Sequence, residues 1–440
     1  MNSIVRWTHL QAFSRQLKAC CQGACAMLWL VAAGLQPAQA QFRVEVTGVG
    51  MTQVPLAIAP FKGEDSAPQK IAAIVTADLE RSGQFRPVEA KGESLDESSR
   101  PDWTHWRQRN ADALVAGSVT RLADGRYDVR ARLWDVVGGQ LRGEYKEAVV
   151  AGDLRLAAHR LADQIYEKLT GEKGVFATRI AYVTKAASRY TLWVADSDGE
   201  GAQAALASPE PIISPSWSPT GSHLAYVSFE SRKPVIYVHE LASGKRQLTA
   251  NFRGSNSAPA WAPDGKSLVA TLSRDGGSQL FQIDVQGGAP RRLTQSSGID
   301  TEPAFAPNGK LYFVSDRGGS PQIYRMPAAG GAVERVTFNG TYNISPSLSP
   351  DGRFMAYVTR TGGQFKLQVM DLSTGQSNAI TDTGADEKPS FAPNSKLLVY
   401  ATQLQGREAL MTTTLDGKIK ARLAGQGGDI REPDWGPFRP

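Results

Sequence analysis

Beyond residue 40 the 440-residue sequence contains no cysteine, because its three cysteines all fall before that point, at Cys20, Cys21 and Cys25. A chain that begins after residue 40 must be stable without disulfide bonds and without cysteine-ligated zinc. Histidine is also scarce, and its five occurrences never stand in the spacing of a metal-binding motif. Neither a G-x-S-x-G nucleophile elbow nor a complete phosphate-binding loop is present. We therefore expect no catalytic site, no metal and no cofactor.

The chain also has little net charge and no apolar run long enough to span a bilayer. Its formal charge of +6 includes three basic residues and no acid within residues 1–40, so the remainder carries +3, dispersed among acids, which does not predict nucleic-acid binding. The apolar run at 24–35 has 12 residues, against roughly 20 for a membrane-spanning helix. It precedes Ala38-Gln39-Ala40. We predict that residues 1–40 are a secretory signal peptide and that the exported chain begins at Gln41.

Six copies of one short motif occupy the C-terminal part of the sequence. They read "SPSWSPTG", "APAWAPDG", "EPAFAPNG", "SPSLSPDG", "KPSFAPNS" and "EPDWGP", and their first prolines follow one another at intervals of 43 or 44 residues. A period of this length, with four short strand patterns in each unit, is typical of a β-propeller blade. The motif prolines are Pro215, Pro259, Pro303, Pro346, Pro389 and Pro433.

The two ends of the repeat region complete each other. Residues 179–208 form a three-strand pattern with no motif before it, whereas the last motif has no strands after it. Residues 174–440 are thus predicted to be an all-β, six-bladed β-propeller in which the C-terminal strand closes the ring. Alternate residues of a strand point to opposite faces, so one side chain of each motif is expected to pack between blades. This set comprises Trp217, Trp261, Phe305, Leu348, Phe391 and Trp435.

Residues 41–173 show no repeat and predict a small mixed α/β domain. "FRVEVTGV" and "VPLAIAPF" read as strands, and a helix pattern over 71–79 precedes the short strand "FRPVE". Three further strand patterns follow, with turns at Asp124-Gly125 and Gly138-Gly139. An amphipathic helix pattern over 154–169 then ends at Gly171. Its N-terminal strand, "QFRVEVTG", is expected to alternate between docking on this domain and being free.

Charged side chains stand just before several motif prolines, at the start of the predicted innermost strands. In a propeller these positions gather around one mouth of the central channel, and acids outnumber bases there. A solvated rim and a binding surface both fit this composition. The residues concerned are Asp300, Thr301, Glu302, Asp386, Glu387, Lys388, Asp429, Arg431 and Glu432.

The stretch "YEKLTGEKGVFATRIAYV" (166–183) is the most specific part of a resemblance that covers the whole chain after residue 40. It is supported by "ISPSWSPTGSHLAYVSFES", "TEPAFAPNG" and "DGKIKARLAG". Together with the predicted architecture, these stretches resemble the TolB family, the periplasmic components of the Tol-Pal system of Gram-negative envelopes. The resemblance implies a periplasmic, non-enzymatic adaptor for outer-membrane integrity and constriction during cell division. It also implies a monomer that reaches the outer membrane peripherally through its partners.

The same resemblance implies two partner sites. The propeller mouth is expected to bind the peptidoglycan-associated lipoprotein Pal, and the exported N-terminus is expected to bind TolA; further envelope proteins are conceivable partners. Ser255 stands where the family usually has histidine. The Pal site comprises Ser255, Asn256, Ala258, Asp300, Thr301, Glu302, Glu387, Lys388, Arg431 and Glu432. The TolA site comprises Gln41, Phe42, Arg43, Val44, Glu45 and Val46.

A second function remains open from the residues alone. Propellers also host enzymes, so a periplasmic propeller hydrolase or lyase acting on peptide or sugar is the alternative. It would need a nucleophile, a metal set or a pair of buried carboxylates at the channel. The sequence supplies only acids of the mouth for such a pair.

Overall fold

The computed structural model describes residues 44–46, 53–90, 92–93, 95–425 and 427–439, and for 44–46 it describes the backbone. The predicted signal peptide, its cleavage point and Gln41, Phe42 and Arg43 of the predicted TolA site lie outside these residues. Within the described part of the chain, no helix is both long enough and apolar enough to cross a membrane.

The α/β domain is a five-stranded mixed sheet with two helices packed on one face. Strand β1 (Val44–Val46) precedes it in the chain but pairs elsewhere. The sheet order is β3-β2-β4-β5-β6, with β2 parallel to β3 and β4 and the other pairs antiparallel. The domain's elements are β2 (Val54–Ile58), α1 (Ile71–Arg81), β3 (Phe85–Val88), α2 (Trp103–Gln108), β4 (Ala113–Arg121), β5 (Tyr127–Asp135), β6 (Gln140–Val149) and α3 (Leu154–Thr170).

Helix periodicity places α1 and α3 against the sheet. Ile71 and Val75 of α1, like Leu161 and Ile165 of α3, are at most 2% exposed and share one hydrophobic core. Helix α3 ends where expected, because Gly171 adopts a left-handed conformation (φ 78°) and donates its backbone N–H to the carbonyl of Glu167 at 2.8 Å. These helices and the strands β2 to β6 confirm the predicted mixed α/β class.

Helix α2 is absent from the sequence-based prediction. It begins after Asp102, whose carboxylate accepts hydrogen bonds from the backbone N–H groups of Thr104 and His105. An aspartate at this position is a helix N-cap signal that the sequence already contained. The helix has only six residues and buries little besides Trp106, so its hydrophobic periodicity is too short to detect.

Six antiparallel sheets form the blades of the propeller. Blade 1 contains β30 (Asp429–Trp435), β7 (Arg179–Ala186), β8 (Arg189–Asp196) and β9 (Gln203–Ser208). Blade 2 contains β10 (Ile212–Trp217), β11 (His223–Ser228), β12 (Val235–Glu240) and β13 (Arg246–Ala250), and blade 3 contains β14 (Asn256–Trp261), β15 (Ser267–Leu272), β16 (Gln279–Asp284) and β17 (Arg291–Arg292).

The other three blades follow in the same order along the chain. Blade 4 contains β18 (Asp300–Phe305), β19 (Lys310–Ser315), β20 (Gln322–Pro327) and β21 (Glu334–Arg335). Blade 5 contains β22 (Asn343–Leu348), β23 (Phe354–Thr361), β24 (Gln364–Asp371) and β25 (Ser377–Ala379). Blade 6 contains β26 (Glu387–Phe391), β27 (Leu397–Leu404), β28 (Arg407–Thr414) and β29 (Ile419–Arg422). The motif strands are the innermost strands throughout, as predicted.

The ring closes through the C-terminal strand. Strand β30 pairs antiparallel with β7, and Trp435 stands opposite Ile180 in the register. The last motif therefore completes the first blade, which confirms the predicted closure. Strand β30 therefore covers the edge of β7 that would otherwise be open to another chain.

The motif side chains pack between blades as predicted. Trp217, Trp261 and Trp435 are between 5% and 8% exposed. The indole N–H of Trp261 in blade 3 donates to the Ser216 carbonyl of blade 2, and the indole of Trp217 donates to the Asp434 carbonyl of blade 1. Each of these two indoles thus packs between neighbouring blades and also forms one hydrogen bond across their boundary.

Strand β1 differs from the prediction. It does not dock on its own domain but extends blade 6 at its outer edge, antiparallel to β29, with Val44, Glu45 and Val46 opposite Ala421, Lys420 and Ile419. The alternation of apolar and polar residues in "QFRVEVTG" indicates a strand without specifying its partner. The outer strand of a blade offers a row of free backbone groups, and β1 covers it.

Candidate functional site

The two faces of the propeller have different neighbours. In each blade the inner strand is antiparallel to the second strand, so it begins at the face of the propeller where the second strand ends. In blade 1, for example, Asp429 at the start of β30 stands opposite Lys185 near the end of β7. The α/β domain lies on the other face, where Arg155 of α3 contacts Asp198 in the turn after β8. We call the first face the mouth face and the second the domain face. The predicted partner-binding residues of the propeller therefore lie on the face away from the α/β domain.

Four blades carry a buried Asn or Asp three residues before the motif proline, at Asn256, Asp300, Asn343 and Asp386. All four are at most 2% exposed. The Asn256 amide bonds to backbone groups of Phe252, Gly254 and Pro234. These side chains hold the loop that leads into each inner strand.

Two residues of the predicted Pal site have side chains that are buried and bonded inside the protein. The Asn256 side chain is turned into its own loop, and the Asp300 carboxylate accepts two bonds from Arg317, at 2.8 and 3.0 Å, and one from Ser296. Both groups are satisfied inside the protein. Asp386, expected at the rim, is likewise buried and is bonded by Thr381, Thr383 and Thr402. The recurrence of Asn or Asp at one position of the repeat is the signal that could have revealed this role.

The residue directly before each motif proline has an unusual backbone conformation. None of these six residues is glycine, yet all adopt positive φ between 48° and 54°, and the strand register shifts at each of them. A non-glycine residue in this region costs on the order of 1 kcal/mol, so six equivalent cases indicate a β-bulge built into every blade. We call this set the channel ring: Ser214, Ala258, Glu302, Ser345, Lys388 and Glu432.

Two carboxylates of the channel ring tie neighbouring blades together. Glu302 of blade 4 accepts a hydrogen bond from the backbone N–H of Ser345 in blade 5, at 2.6 Å. Glu432 of blade 1 accepts the equivalent bond from Ser214 in blade 2, at 2.5 Å. Because blades 1 and 4 are opposite each other in the ring, the two carboxylates face the channel from opposite sides. The predicted Pal-site residues Glu302 and Glu432 therefore also stabilise the ring.

Blades 6 and 1 bring further charges to the same channel. Burial raises the pKa of Glu387 to about 7, against the opposing charge of Arg431. Burial likewise raises the pKa of Glu432, which Lys388 partly offsets. Arg431 donates to Asp429 at 2.9 Å. Carboxylates whose charge is only partly compensated give this side of the channel an excess of acceptors.

The remaining predicted mouth residues are half-buried. Ser255 donates its backbone N–H to the Ser273 hydroxyl, and Thr301 accepts a hydrogen bond from Thr271. The half-buried members of the predicted Pal site are Ser255, Ala258, Thr301, Glu302, Glu387, Lys388, Arg431 and Glu432. They come from blades 3, 4, 6 and 1, so the structure gathers them around one channel. Blades 2 and 5 contribute the small side chains Ser214 and Ser345.

No residue set with metal-ligand distances lies at this channel in the part of the chain that the structure describes. The only such set in that part is Asp78, His159 and Asp198, on the domain face. Sequence reasoning did not identify it, because its three residues belong to three separate elements. Strand β1 is also remote from the channel, because it lies at the outer edge of the blade 6 sheet and the inner strand β26 lies at the opposite edge.

Two family models match the chain. The TolB amino-terminal domain matches residues 42–142, and the TolB beta propeller domain matches residues 166–439. A Tol-Pal system protein TolB from Polaromonas sp. is 72% identical over 411 residues, 93% of this chain and 96% of that protein. A second, from Polaromonas naphthalenivorans, is 72% identical over 414 residues, with coverage of 93% and 96%.

Solved structures agree with these matches. The crystal structure of TolB from Acinetobacter baumannii superposes with a TM-score of 0.82 at 38% identity, covering 90% of this chain and 100% of that one. The family models and the two relatives also span both the α/β domain and the propeller. The chain therefore belongs to the TolB family of the Tol-Pal system.

Proposed function

We propose that this chain is a non-enzymatic periplasmic adaptor of the Tol-Pal envelope system, which binds Pal at the mouth face and TolA through its exported N-terminus. The observation that carries the proposal is the channel ring on the face opposite the α/β domain. Half-buried charged side chains from three blades converge there, and the α/β domain leaves that face free. A concave surface with a few convergent polar groups is suited to receive a partner.

The mouth chemistry suggests which groups Pal contributes. Glu302, Glu387 and Glu432 provide acceptor oxygens, whereas Lys388 and Arg431 confine the positive charge to blades 6 and 1. A partner that approaches blade 4 should present basic or hydrogen-bond-donating groups to Glu302. Binding at this face would link the chain peripherally to the outer membrane. Through Pal and TolA together, the adaptor would support outer-membrane integrity and constriction during division.

The Pal assignment is tested by calorimetric titration of purified Pal into wild type and the Glu302→Gln variant. Glutamine keeps an oxygen that can accept the Ser345 N–H and removes only the charge. We expect Pal to bind at least tenfold more weakly, about 1.4 kcal/mol. Glu334→Gln, which removes an exposed carboxylate from the outer strand of the same blade, is the matched control and should bind Pal normally. If folded Glu302→Gln binds Pal with wild-type affinity, the mouth of blade 4 is not the Pal site.

The TolA assignment requires a different variant. Deleting residues 41–48 removes β1 and the residues before it without touching the channel ring. We expect loss of TolA binding with unchanged Pal binding, because β1 lies at the outer edge of blade 6, away from the channel ring. Pull-down of each purified partner by the two forms measures this. Retention of TolA by the shortened chain would place the TolA site elsewhere.

The hydrolase or lyase alternative is favoured by one observation. Glu387 and Glu432 both have raised pKa values and interact through their charges, which is what an acid–base pair requires. Glu432 is already bonded to Ser214, and Arg431 faces Glu387, so both carboxylates serve the ring. Incubation with peptidoglycan fragments should therefore give no product. Product formation that disappears in Glu387→Gln would establish the enzyme instead.

A further inference from the structure

A buried group of charges joins the α/β domain to blade 1. Asp78 and Arg81 come from α1, Arg155 and His159 come from α3, and the propeller contributes the turn at 196–198 after β8. Asp78, Arg81 and His159 are each at most 1% exposed. Charged groups are seldom fully buried unless they are paired, so this group needs a specific explanation.

Two arginines of the α/β domain donate hydrogen bonds to the blade 1 turn. The Arg155 guanidinium donates to Asp198 Oδ2 at 2.6 Å and to Asp196 Oδ2 at 3.4 Å. Arg81 donates to Asp78 Oδ1 at 2.9 Å and to the Ser197 hydroxyl at 3.1 Å. The α/β domain thus offers cations to the blade 1 turn, and the turn offers acceptors in return.

His159 stands between the two sets of carboxylates. Its Nδ1 lies 2.6 Å from Asp78 Oδ2 within the α/β domain. Its Nε2 lies 3.8 Å from Asp196 Oδ2 and 3.7 Å from Asp198 Oδ2 of the propeller. Among the residues that the structure describes, this buried Nε2 has no hydrogen-bond partner. Both ring nitrogens therefore face carboxylate oxygens.

The protonation state of His159 decides whether its contact with the carboxylates of the propeller is attractive or repulsive. The 2.6 Å bond to Asp78 requires a proton on Nδ1, because two acceptors cannot approach so closely. In the neutral ring Nε2 would then carry a lone pair directed at two carboxylates. In the imidazolium Nε2 carries an N–H group and a share of positive charge. Deprotonation therefore converts an attraction between the domains into a repulsion.

The surrounding charges favour the imidazolium. Burial alone would lower the pKa of His159, but the carboxylates of Asp78, Asp198 and Asp196 raise it above its ordinary value. Burial raises the pKa of the nearby Asp163 to about 7. The charged groups facing His159 or its partners are Asp78, Arg81, Arg155, Asp163, Asp196, Asp198, Glu200 and Arg439.

A metal ion is a poorer occupant of the same place. Asp78, His159 and Asp198 satisfy metal-ligand distances, but the Asp78 oxygen already accepts from His159 Nδ1. The oxygens of Asp196 and Asp198 that face Nε2 are also those that Arg155 approaches. A divalent cation would add two positive charges beside guanidinium groups that already compensate the carboxylates.

We propose that His159, as an imidazolium, is a protonation-dependent latch between the α/β domain and blade 1, and that its deprotonation loosens the contact between the two domains. A raised pKa stabilises the folded, docked state below the ordinary histidine pKa of about 6.5. That stabilisation is lost as the pH rises through the raised value. The device therefore holds the domains together below the raised pKa of His159 and loosens their contact above it.

The first test is a direct titration of the histidines by NMR in the chain from Gln41 onward. We expect one imidazole to titrate above the ordinary histidine value of about 6.5, and His159→Gln assigns that signal by its disappearance. No variant needs to be stable for the titration itself. A His159 that titrates at or below its ordinary value overturns the proposal.

The second test measures the contact between the domains. In the chain from Gln41 onward, which contains no cysteine, the exposed residues Gln108 of α2 and Ser188 of blade 1 are replaced by cysteine and spin-labelled. We expect one narrow distance distribution at pH 6 and a broader one above the His159 pKa. In His159→Gln the distribution should no longer depend on pH. His105→Gln is the matched control, since His105 pairs with Glu93 inside the α/β domain, and it should behave like wild type.

A wild-type distribution that stays the same from pH 6 to 10 would contradict the latch. An identical pH response in His159→Gln would contradict it as well. The metal alternative is separated by melting the protein with EDTA and with added Zn²⁺. We expect both melts to match the untreated protein, and a metal-dependent melting temperature that His159→Gln abolishes would identify a metal site instead.

Discussion

The channel ring and the domain boundary both bury carboxylates, but they neutralise them differently. In the channel, Glu302 and Glu432 accept bonds from backbone N–H groups of the next blade. At the domain boundary, Asp198 is paired with the guanidinium of Arg155. A backbone N–H is a dipole without net charge, whereas a guanidinium carries a full positive charge. The two regions thus satisfy the same acceptors with different donors.

The pKa directions follow from this difference. Burial dominates at Glu432 and raises its pKa, although the Ser214 N–H and Lys388 oppose the shift. Burial would also raise the pKa of Asp198, yet the positive charges of His159, Arg81 and Arg155 hold it below its ordinary value. Burial therefore does not determine by itself whether a carboxylate remains ionised. The number of full positive charges within reach decides it.

The largest expected effect comes from removing a strand that serves both regions. Deleting residues 430–440 removes all but the first residue of β30, and with it the Glu432 carboxylate of the ring and Arg439, which contacts Asp196. The ring should open, and the thermal melt should lose its cooperativity because blade 1 lacks its inner strand. Circular dichroism during heating measures this. Deleting only residues 438–440 leaves β30 intact and should preserve the cooperative melt; a normal melt in the longer deletion would refute closure through β30.

Next in size is the loss of one charge at the domain boundary. Asp198→Asn removes the carboxylate that pairs with Arg155 and faces the His159 imidazolium, and breaking a buried pair typically costs about 3 kcal/mol or more of unfolding free energy. Since the pKa of Asp198 is lowered in the folded state, its contribution is present near neutral pH and fades as the pH falls, so the deficit should shrink under acid conditions. Denaturant unfolding at pH 7 and pH 4 measures both values.

Asp264→Asn is the matched control for this change. Asp264 accepts the backbone N–H two residues ahead, as Asp198 does, but it is exposed and has no cationic partner near it in the described structure. Its replacement should change the unfolding free energy by less than about 0.5 kcal/mol. Equal losses for the two variants would show that the turn bond, rather than the buried ion pair, stabilises the boundary.

The channel should respond in the opposite direction. Because the pKa of Glu387 is raised to about 7, ionisation opposes folding, and the stability of wild type should fall as the pH rises from about 4.5 to 7. Glu387→Gln removes this penalty and should stabilise the protein at pH 8 by on the order of 1–2 kcal/mol. At pH 4 the two proteins should have similar unfolding free energies. A destabilised variant at pH 8 would show that the Glu387 carboxylate is compensated like Asp198.

The smallest effect concerns the backbone of the channel ring. Ala258 has φ 48°, a conformation that glycine adopts without strain, so Ala258→Gly should be neutral or stabilising by up to about 1 kcal/mol. Ala260, two residues later in the same strand, serves as the control. Ala260→Gly should cost roughly 0.5–1 kcal/mol through added flexibility of the unfolded chain. Denaturant unfolding of both variants separates local backbone strain from general effects of glycine.

The fold was largely predictable from the sequence. The repeat period predicted six blades, the motif strands as inner strands, and closure by β30, and helices α1 and α3 followed from their periodicity. The site was predicted less completely. Thr301, Glu302, Glu387 and Lys388 do lie at the channel, but Asn256 and Asp300 are buried loop clamps. The charge of a residue indicates a polar role. Only the surrounding packing shows whether its side chain holds a loop inside the protein or is available to a partner.

The sequence by itself determined the repeating architecture, because each blade is specified by local strand patterns that recur every 43 or 44 residues. The tertiary structure decided the rest, because those features depend on residues far apart in the chain. Strand β1 reaches β29 only in the folded protein, and His159 meets Asp78 across 81 residues. The backbone of a bulge and the burial of a carboxylate are likewise set by neighbouring blades. Local periodicity carries no information about such distant partners, and the packed fold supplies it.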